Sequence, residues 1–196
     1  MESVVSAGIN AFALGCIEVP LTKGKCALVD NEDAWVLDYN WSVNHDKRRD
    51  VFYAQRGRLV GESYKPRTII MHRVIMERVL GTTIKFEIDH INHDGLDNRR
   101  SNLRVATHSE NQANTKRVWG KSKYRGVYWC KGNNKWRATI EKNNRKLHVG
   151  YFVDEIEAAK AYDKVAFKLN GAFAYQNFPS QLNYEMRGKN IKAAIA

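Results

Sequence analysis

The chain has 196 residues, enough for one ordinary domain or two small ones, and its 43% hydrophobic and 11% aromatic content excludes a disordered polymer. No apolar run approaches the roughly 18 residues needed to span a bilayer. Cys16, Cys26 and Cys130 form no C-x-x-C pair, which excludes a zinc ribbon or a disulfide framework.

In chain order, the N-terminal MESVVSAGINAFALGCIEV is mildly apolar but opens with Glu2 and lacks a basic n-region, so it reads as an arm or strand, not a signal peptide. IEVPL, KCALV, NWSV, VFYAQ and RTIIM read as short strands separated by polar turns, with one helical stretch near Glu32–Tyr39. HRVIMERVL has apolar residues at 75, 76, 79 and 80, a helical spacing stopped by Gly81. KFEIDH then reads as a strand, INHDGLDNRRSN as a loop, LRVAT as a second strand and SENQANTK as a short helix capped by Ser109. KRVWGKSK, 116–123, fits neither period and reads as a linker. YRGVYWCK, KWRATIEK and RKLHVGYF are three strands joined by GNN and NN turns. DEIEAAKAYDKVAFKLNG follows as an amphipathic helix, started by Asp154 with Glu157 and stopped by Gly171, with Tyr162, Ala166 and Leu169 as its buried stripe. Residues 180–196 show no core pattern and read as a disordered tail.

The net charge of +11 is not spread evenly: residues 116–196 carry 17 basic groups against six acids, while the rest of the chain is near neutral. A folded, basic segment interleaved with Tyr and Trp is the electrostatic footprint of nucleic-acid binding. A membrane surface would attract the same charge, but the segment holds no basic amphipathic helix or lipidation signal.

The densest polar cluster is DHINHDGLDNRRSNLRVATHSENQANTK, 89–116. Hydrolysis of a phosphodiester needs a deprotonated water, a stabilised leaving oxygen and neutralised charge on phosphorus. A divalent cation can supply the last two and a neutral imidazole the first. Carboxylate and amide oxygens suit Mg²⁺, which keeps most of its waters. Neighbours on a strand point to opposite faces, so Asp89 can hold a metal while His90 addresses the substrate. Asn111, at the start of the short helix, can return to the same metal. Asn98 and Asn102 also suit loop capping. His93 reads as a loop residue near phosphate in a complex, and His108 as a weaker metal candidate than Asn111. His72 reads as packing beneath the site. Arg99, Arg100 and Arg104 suit phosphate clamping or a solvated loop.

Asp89-His90, with Asn102 after eleven intervening residues and Asn111 after eight more, resembles the HNH endonuclease family. The string DHIN-x-x-GLDNRRSNLR looks like its phage and intron-encoded homing branch, and residues 17–80 fit that branch too. The resemblance implies a ββα-metal (His-Me finger) unit of strand, loop, strand and helix. It assigns His90 as general base, Asn102 as the residue orienting loop and histidine, and Asp89 and Asn111 as ligands of one Mg²⁺ or Mn²⁺.

In the basic segment, Trp136, Ala138 and Ile140 alternate with Lys135, Arg137, Thr139 and Glu141, and Leu147, Val149 and Tyr151 alternate with Lys146, His148 and Gly150. One face is apolar, suited to cover by the following helix; the other is basic and can enter a DNA groove. YRGVYW, KWRATI, HVGYF, the helix and the terminal NFP together resemble the APETALA-two/ethylene-response-factor DNA-binding domain over about Ser122–Pro179. Arg125, Trp129, Lys131, Arg137, Lys146 and His148 are the contact candidates, with Trp136 and Tyr162 in the core. Tyr128, Cys130, Glu141 and His148 depart from the plant pattern, so the plant target sequence does not transfer.

The expectation is an α+β protein: a β-rich N-terminal region of the nuclease (1–80), an HNH catalytic unit (81–116), a linker (117–123), a three-stranded antiparallel sheet packed on one helix that binds DNA (124–179), and a tail. Its expected activity is metal-dependent cleavage of double-stranded DNA at a specific site, in the cytoplasm of the cell that makes it, a bacterial host if phage-encoded. One catalytic unit per chain is compatible with nicking by a monomer or double-strand cleavage by a homodimer. A DNA-binding transcriptional regulator with a degenerate nuclease unit is the competing reading, and an RNA-processing protein a third.

Overall fold

The computed structural model describes residues 15–61, 67–116, 118, 120–142 and 145–179; the expectations for the N-terminal arm and the tail lie outside them. Among the described residues no helix is long and apolar enough to cross a membrane.

Strands β1 (Cys16–Pro20) and β2 (Cys26–Asp30) form an antiparallel hairpin, followed by a 3-10 segment, Asn31–Asp38. A second antiparallel sheet has the order β3 (Ser42–Asp46), β4 (Val51–Gly57), β5 (Thr68–Ile70), and runs into helix α1 (Met71–Leu80). Gly81 ends α1 in the left-handed conformation, as its place in the sequence suggests. Next come β6 (Glu87–His90), β7 (Leu103–Ala106), which pair antiparallel, and helix α2 (His108–Ala113). One apolar core joins Val19, Val29, Val36, Ile69, Ile75, Ile88 and Leu103. The N-terminal region and the β6–β7 unit therefore fold as one body.

Several expected boundaries shift by a residue or two, and two shifts fall in the β6–β7–α2 unit at its first strand and its helix cap. The first strand of the unit begins at Glu87, not Lys85. The cap of α2 is Thr107, not Ser109: its hydroxyl accepts from Glu110 N while the Glu110 carboxylate accepts from Thr107 N, a reciprocal capping box.

The long loop between β6 and β7 is held by its neighbours. Leu28 N donates to Leu96 O and Asn98 N to Leu28 O, each at 2.8 Å, so the loop docks on the edge of β2. Gly95 lies so close to β4 that a Cβ there would come within 2.4 Å of Phe52 O and 2.7 Å of the Tyr53 ring. Only glycine permits that approach.

The second unit is a sheet in the order β10 (Arg145–Phe152), β9 (Lys135–Lys142), β8 (Val127–Cys130), covered on one face by α3 (Glu155–Asn170). Val127, Ala138, Ile140, Ala158, Ala159, Tyr162 and Ala166 form its core. Gly126 has φ +76°, and a Cβ there would overlap the Tyr162 ring at 2.2 Å, so the turn before β8 admits no side chain. Ser122, assigned from sequence to the linker, is buried in this unit and donates to Glu155 Oε1 at 2.7 Å. Asp154 caps α3 by accepting from Glu157 N at 2.9 Å. Asp154→Ala is expected to destabilise the chain by about 1 kcal/mol in urea unfolding.

Candidate active site and nucleic-acid interface

Asp89 and His90 end β6 and face different surroundings, as neighbours on a strand must. Both line a cleft of about 310 Å³ together with Tyr53, His72, Asn111 and Asn114. Opposite Asp89 in register stands Arg104, and opposite His90 stands Leu103.

The His90 ring packs among aromatic groups, with centroids 4.9 Å from His72 and 5.9 Å from Tyr53. Its Nε2 lies 3.4 Å from Asn98 Oδ1. Because Asn98 Nδ2 donates to Leu96 O at 3.2 Å, the amide oxygen is the atom left to accept from His90 Nε2–H. That arrangement places the imidazole lone pair on Nδ1. Burial lowers the His90 pKa; the Asn98 bond and the nearby Asp89, Asp94 and Asp97 oppose the shift without reversing it. The ring is thus held neutral, the form a base requires.

Asn102, expected to orient both loop and histidine, makes its side-chain hydrogen bonds to the loop. Its Oδ1 accepts from Asn92 N at 3.0 Å and its Nδ2 donates to Asp97 O at 2.7 Å and Asn92 Oδ1 at 3.0 Å. The residue touching His90 is instead Asn98, which sequence reasoning treated as a loop cap.

Asp89 is 5% exposed and heavily bonded. Its Oδ2 accepts from Arg104 Nε at 2.8 Å and Arg104 Nη2 at 2.6 Å, and Asn114 Nδ2 is shared by Oδ2 and Oδ1 at 3.0 Å each; among the described residues that shared amide is the one donor to Oδ1. Asn114 carries no signal in the sequence beyond lying one turn past Asn111. Its own Oδ1 is buried without a hydrogen-bond partner among the described residues. Asn111, which lines the cleft, donates its amide N–H to Glu87 Oε2, so its carbonyl oxygen is the amide atom not used in that bond. Glu87 is held below the usual carboxylate range: burial pushes its pKa up, but hydrogen bonds from His108 and Asn111 outweigh that. His108 has both ring nitrogens engaged, Nδ1 with Glu87 Oε1 and Nε2 with Gln112, each at 2.7 Å. It is not aimed at the cleft.

A small hard cation fits this donor set. Among the described residues Asp89 Oδ1 accepts only the shared Asn114 amide, Asn111 lines the same cleft, and the buried Asn114 oxygen has no hydrogen-bond donor. Among the described residues no three His, Cys, Asp or Glu side chains converge as a metal cage, so such an ion would keep water in most positions.

His72 lines the cleft with Nδ1 unpaired among the described residues, and burial holds its pKa well below 6.5, helped by the neighbouring His90 and Arg73. A lowered folded pKa makes stability fall with acid. Above about pH 6.5 both states keep the ring neutral; below it the unfolded chain takes up a proton that the folded chain refuses. His72→Phe is expected to flatten the acid limb by up to about 1.4 kcal/mol per pH unit, measured by urea unfolding between about pH 5 and about pH 7.5. An unchanged limb would show that His72 protonates freely in the folded chain.

The three arginines expected to clamp phosphate are committed to carboxylates. Arg99 makes a bidentate pair with Asp97 at 2.7 Å, Arg100 one with the fully buried Asp33 at 2.7 and 2.9 Å, and Arg104 the pair with Asp89. Arg125, expected to touch DNA, instead donates to the carbonyls of Gln112, Ala113 and Thr115 at the end of α2. Burying a carboxylate or a helix end without a partner is unfavourable, and these guanidinium groups supply the partners. Arg49 is a further basic group at the site: it pairs loosely with Asp46 at 3.8 Å, is exposed, and lines the cleft and two further grooves.

On the second sheet, cross-strand partners share a face. Tyr128, Arg137 and Tyr151 form one row, Glu141 pairs with Lys146 and Thr139 with His148, and these lie opposite the α3-covered face. Trp129 pairs with Trp136, which stands on the covered side with Ala138 and Ile140, and the two rings meet at 5.2 Å. Trp129 is therefore an edge residue of the inner face, and Tyr128 takes its place on the outer one. Lys131, Arg137, Lys146 and His148 are exposed as expected.

Residues 70–113 match the HNH endonuclease family and residues 122–172 the AP2 domain. An uncharacterized HNH endonuclease of Acanthamoeba polyphaga mimivirus is 32% identical over 117 residues, 59% of this chain and 60% of that protein. An AP2-like ethylene-responsive transcription factor of Arabidopsis thaliana is 43% identical over 78 residues, 39% of this chain and 14% of the factor. An APETALA2-like protein of Oryza sativa is 31% identical over 111 residues, 55% of this chain and 25% of that protein. The chain thus spans 60% of the viral relative and a quarter or less of these plant ones. The two family matches point to nuclease activity in the first unit and DNA binding in the second.

Proposed function

We propose that this chain, which joins an HNH endonuclease domain to an AP2 domain, is a metal-dependent endonuclease of homing type that hydrolyses phosphodiester bonds at a specific double-stranded DNA site. The observation that carries this reading is the single cleft shared by Asp89, His90 and Asn111. In it His90 is neutral, with its Nδ1 lone pair left by the Asn98 contact.

His90 Nδ1 takes a proton from a water whose oxygen bonds to phosphorus as the P–O bond to the leaving sugar oxygen breaks. Asn98 keeps the ring in that tautomer, and Asn102 keeps the loop carrying Asn98 in place. Asp89 and Asn111 would hold one Mg²⁺ or Mn²⁺, which supplies charge neutralisation at the phosphate and at the leaving oxygen. Arg48, Arg49 and Lys116, exposed around the groove beside the cleft, attract the flanking backbone. The row of Tyr128, Arg137 and Tyr151 with Lys131, Lys146 and His148 binds the target duplex. The units are 1–116 for cleavage and 122–179 for DNA binding.

The test is incubation of the whole chain with the DNA flanking its own gene, with Mg²⁺ or Mn²⁺ and with a chelator. Metal-dependent strand scission at a fixed position is expected. Tight, metal-independent binding with no scission under either ion would favour the transcriptional regulator.

A further inference from the structure

Arg104 is buried between the two domains. Beyond its two bonds to Asp89, its Nη1 donates to Ala172 O at 2.8 Å, and its guanidinium carbon lies 4.0 Å from the Phe173 ring centroid. Ala172 and Phe173 form the turn that ends α3, in the AP2 domain. The same domain grips α2, the helix that carries Asn111, through Arg125 and through Tyr175 N, which donates to Ala113 O at 3.1 Å. Both oxygen donors assigned to the cation are thus braced by the domain that binds DNA.

The brace also distinguishes the two oxygens of Asp89. Oδ2 receives two N–H groups from Arg104, whereas Asn114 Nδ2, which also donates to His90 O, is shared between both oxygens. A carboxylate oxygen offers about two lone-pair directions, so Arg104 alone fills those of Oδ2. Resting on the assignment of Asp89 as metal ligand, we propose that Arg104 is a positioning residue. Seated on the Ala172–Phe173 turn of the AP2 domain, it saturates Asp89 Oδ2 and presents Oδ1 alone to the cation. The AP2 domain is then a working part of the nuclease site as well as a DNA anchor. A planar guanidinium can serve the carboxylate, the carbonyl and the ring together; an ammonium cannot.

The full-length wild type, Arg104→Lys, Phe173→Ala and Asp89→Ala are titrated with Mn²⁺ in the absence of DNA, with free Mn²⁺ read by electron paramagnetic resonance. Thermal unfolding and duplex binding in chelator are measured in parallel. Groups that orient a ligand typically contribute 10- to 100-fold to metal affinity, and a weakening of roughly that size is expected for Arg104→Lys and Phe173→Ala, with duplex affinity retained. Asp89→Ala should lose the site. Lower thermal stability with wild-type Mn²⁺ affinity in both variants would make Arg104 a structural brace only and overturn the proposal. If Arg104→Lys does not fold, Phe173→Ala, which leaves the Arg104–Asp89 pair in place, decides. A wild type that binds no Mn²⁺ would refute the metal assignment itself, and this proposal with it.

Discussion

His90→Ala is expected to lower DNA cleavage by roughly 10²- to 10⁴-fold, the usual contribution of a positioned general base, while duplex binding stays at the wild-type level. The side chain is buried in a pocket formed by Tyr53, His72 and Asn98, so its loss leaves the basic exposed surfaces untouched. Relaxation of supercoiled plasmid with Mg²⁺ or Mn²⁺ gives the rate, and a mobility shift in chelator gives the binding. Asn98→Ala should have a smaller effect of the same kind, since it frees the tautomer without removing the base. Full activity in His90→Ala would transfer the role to another group. The other imidazole lining the cleft besides the protonation-resistant His72 is His93, which sits at φ +68° with its ring 5.2 Å from Tyr175.

The sequence was most readable where the signal is local. KWRATIEK and RKLHVGYF alternate over their whole length and are β9 and β10 residue for residue. The start and stop of α3 are set by Asp154 and Gly171, residues that act within one turn of the helix end. Thr107-His-Ser-Glu110 carried a capping box in plain view, and the choice of Ser109 came from ranking one residue type and not the pair. Arg100 and Arg125 are illegible for another reason. Arg100 finds its partner 67 positions away at Asp33, and Arg125 finds the end of α2 across the domain boundary. Nothing near either arginine marks it as engaged. Trp129 is a contact candidate through the family resemblance, whereas its pairing with Trp136 follows only from the register of β8 on β9. Asn114 was missed because the matching pattern ends at Asn111, and its contact with Asp89 depends on how α2 lies across β6.

Replacing Lys131, Arg137 and Lys146 together with Ala is expected to flatten the salt dependence of duplex binding by about 2.7 in the slope of log K against log [salt], because each lost phosphate contact removes about 0.9. The three are exposed on or beside the open face of the second sheet, while Val127, Ala138 and Ile140 hold the opposite face against α3, so the fold should persist. Glu141, paired with Lys146, stays in the triple variant and will deepen the loss of affinity without adding to the slope. Binding of a labelled duplex in chelator over a range of NaCl concentrations separates the two effects. A slope equal to that of the wild type would mean that counterions are released elsewhere on the molecule. The groove bearing Arg48, Arg49 and Lys116 is where such contacts would then lie, and the corresponding triple substitution there should flatten the slope instead. Flattening by both triples, each by its own share, would place one continuous DNA track from the sheet face to the cleft, with Arg49 common to the cleft and the grooves on either side.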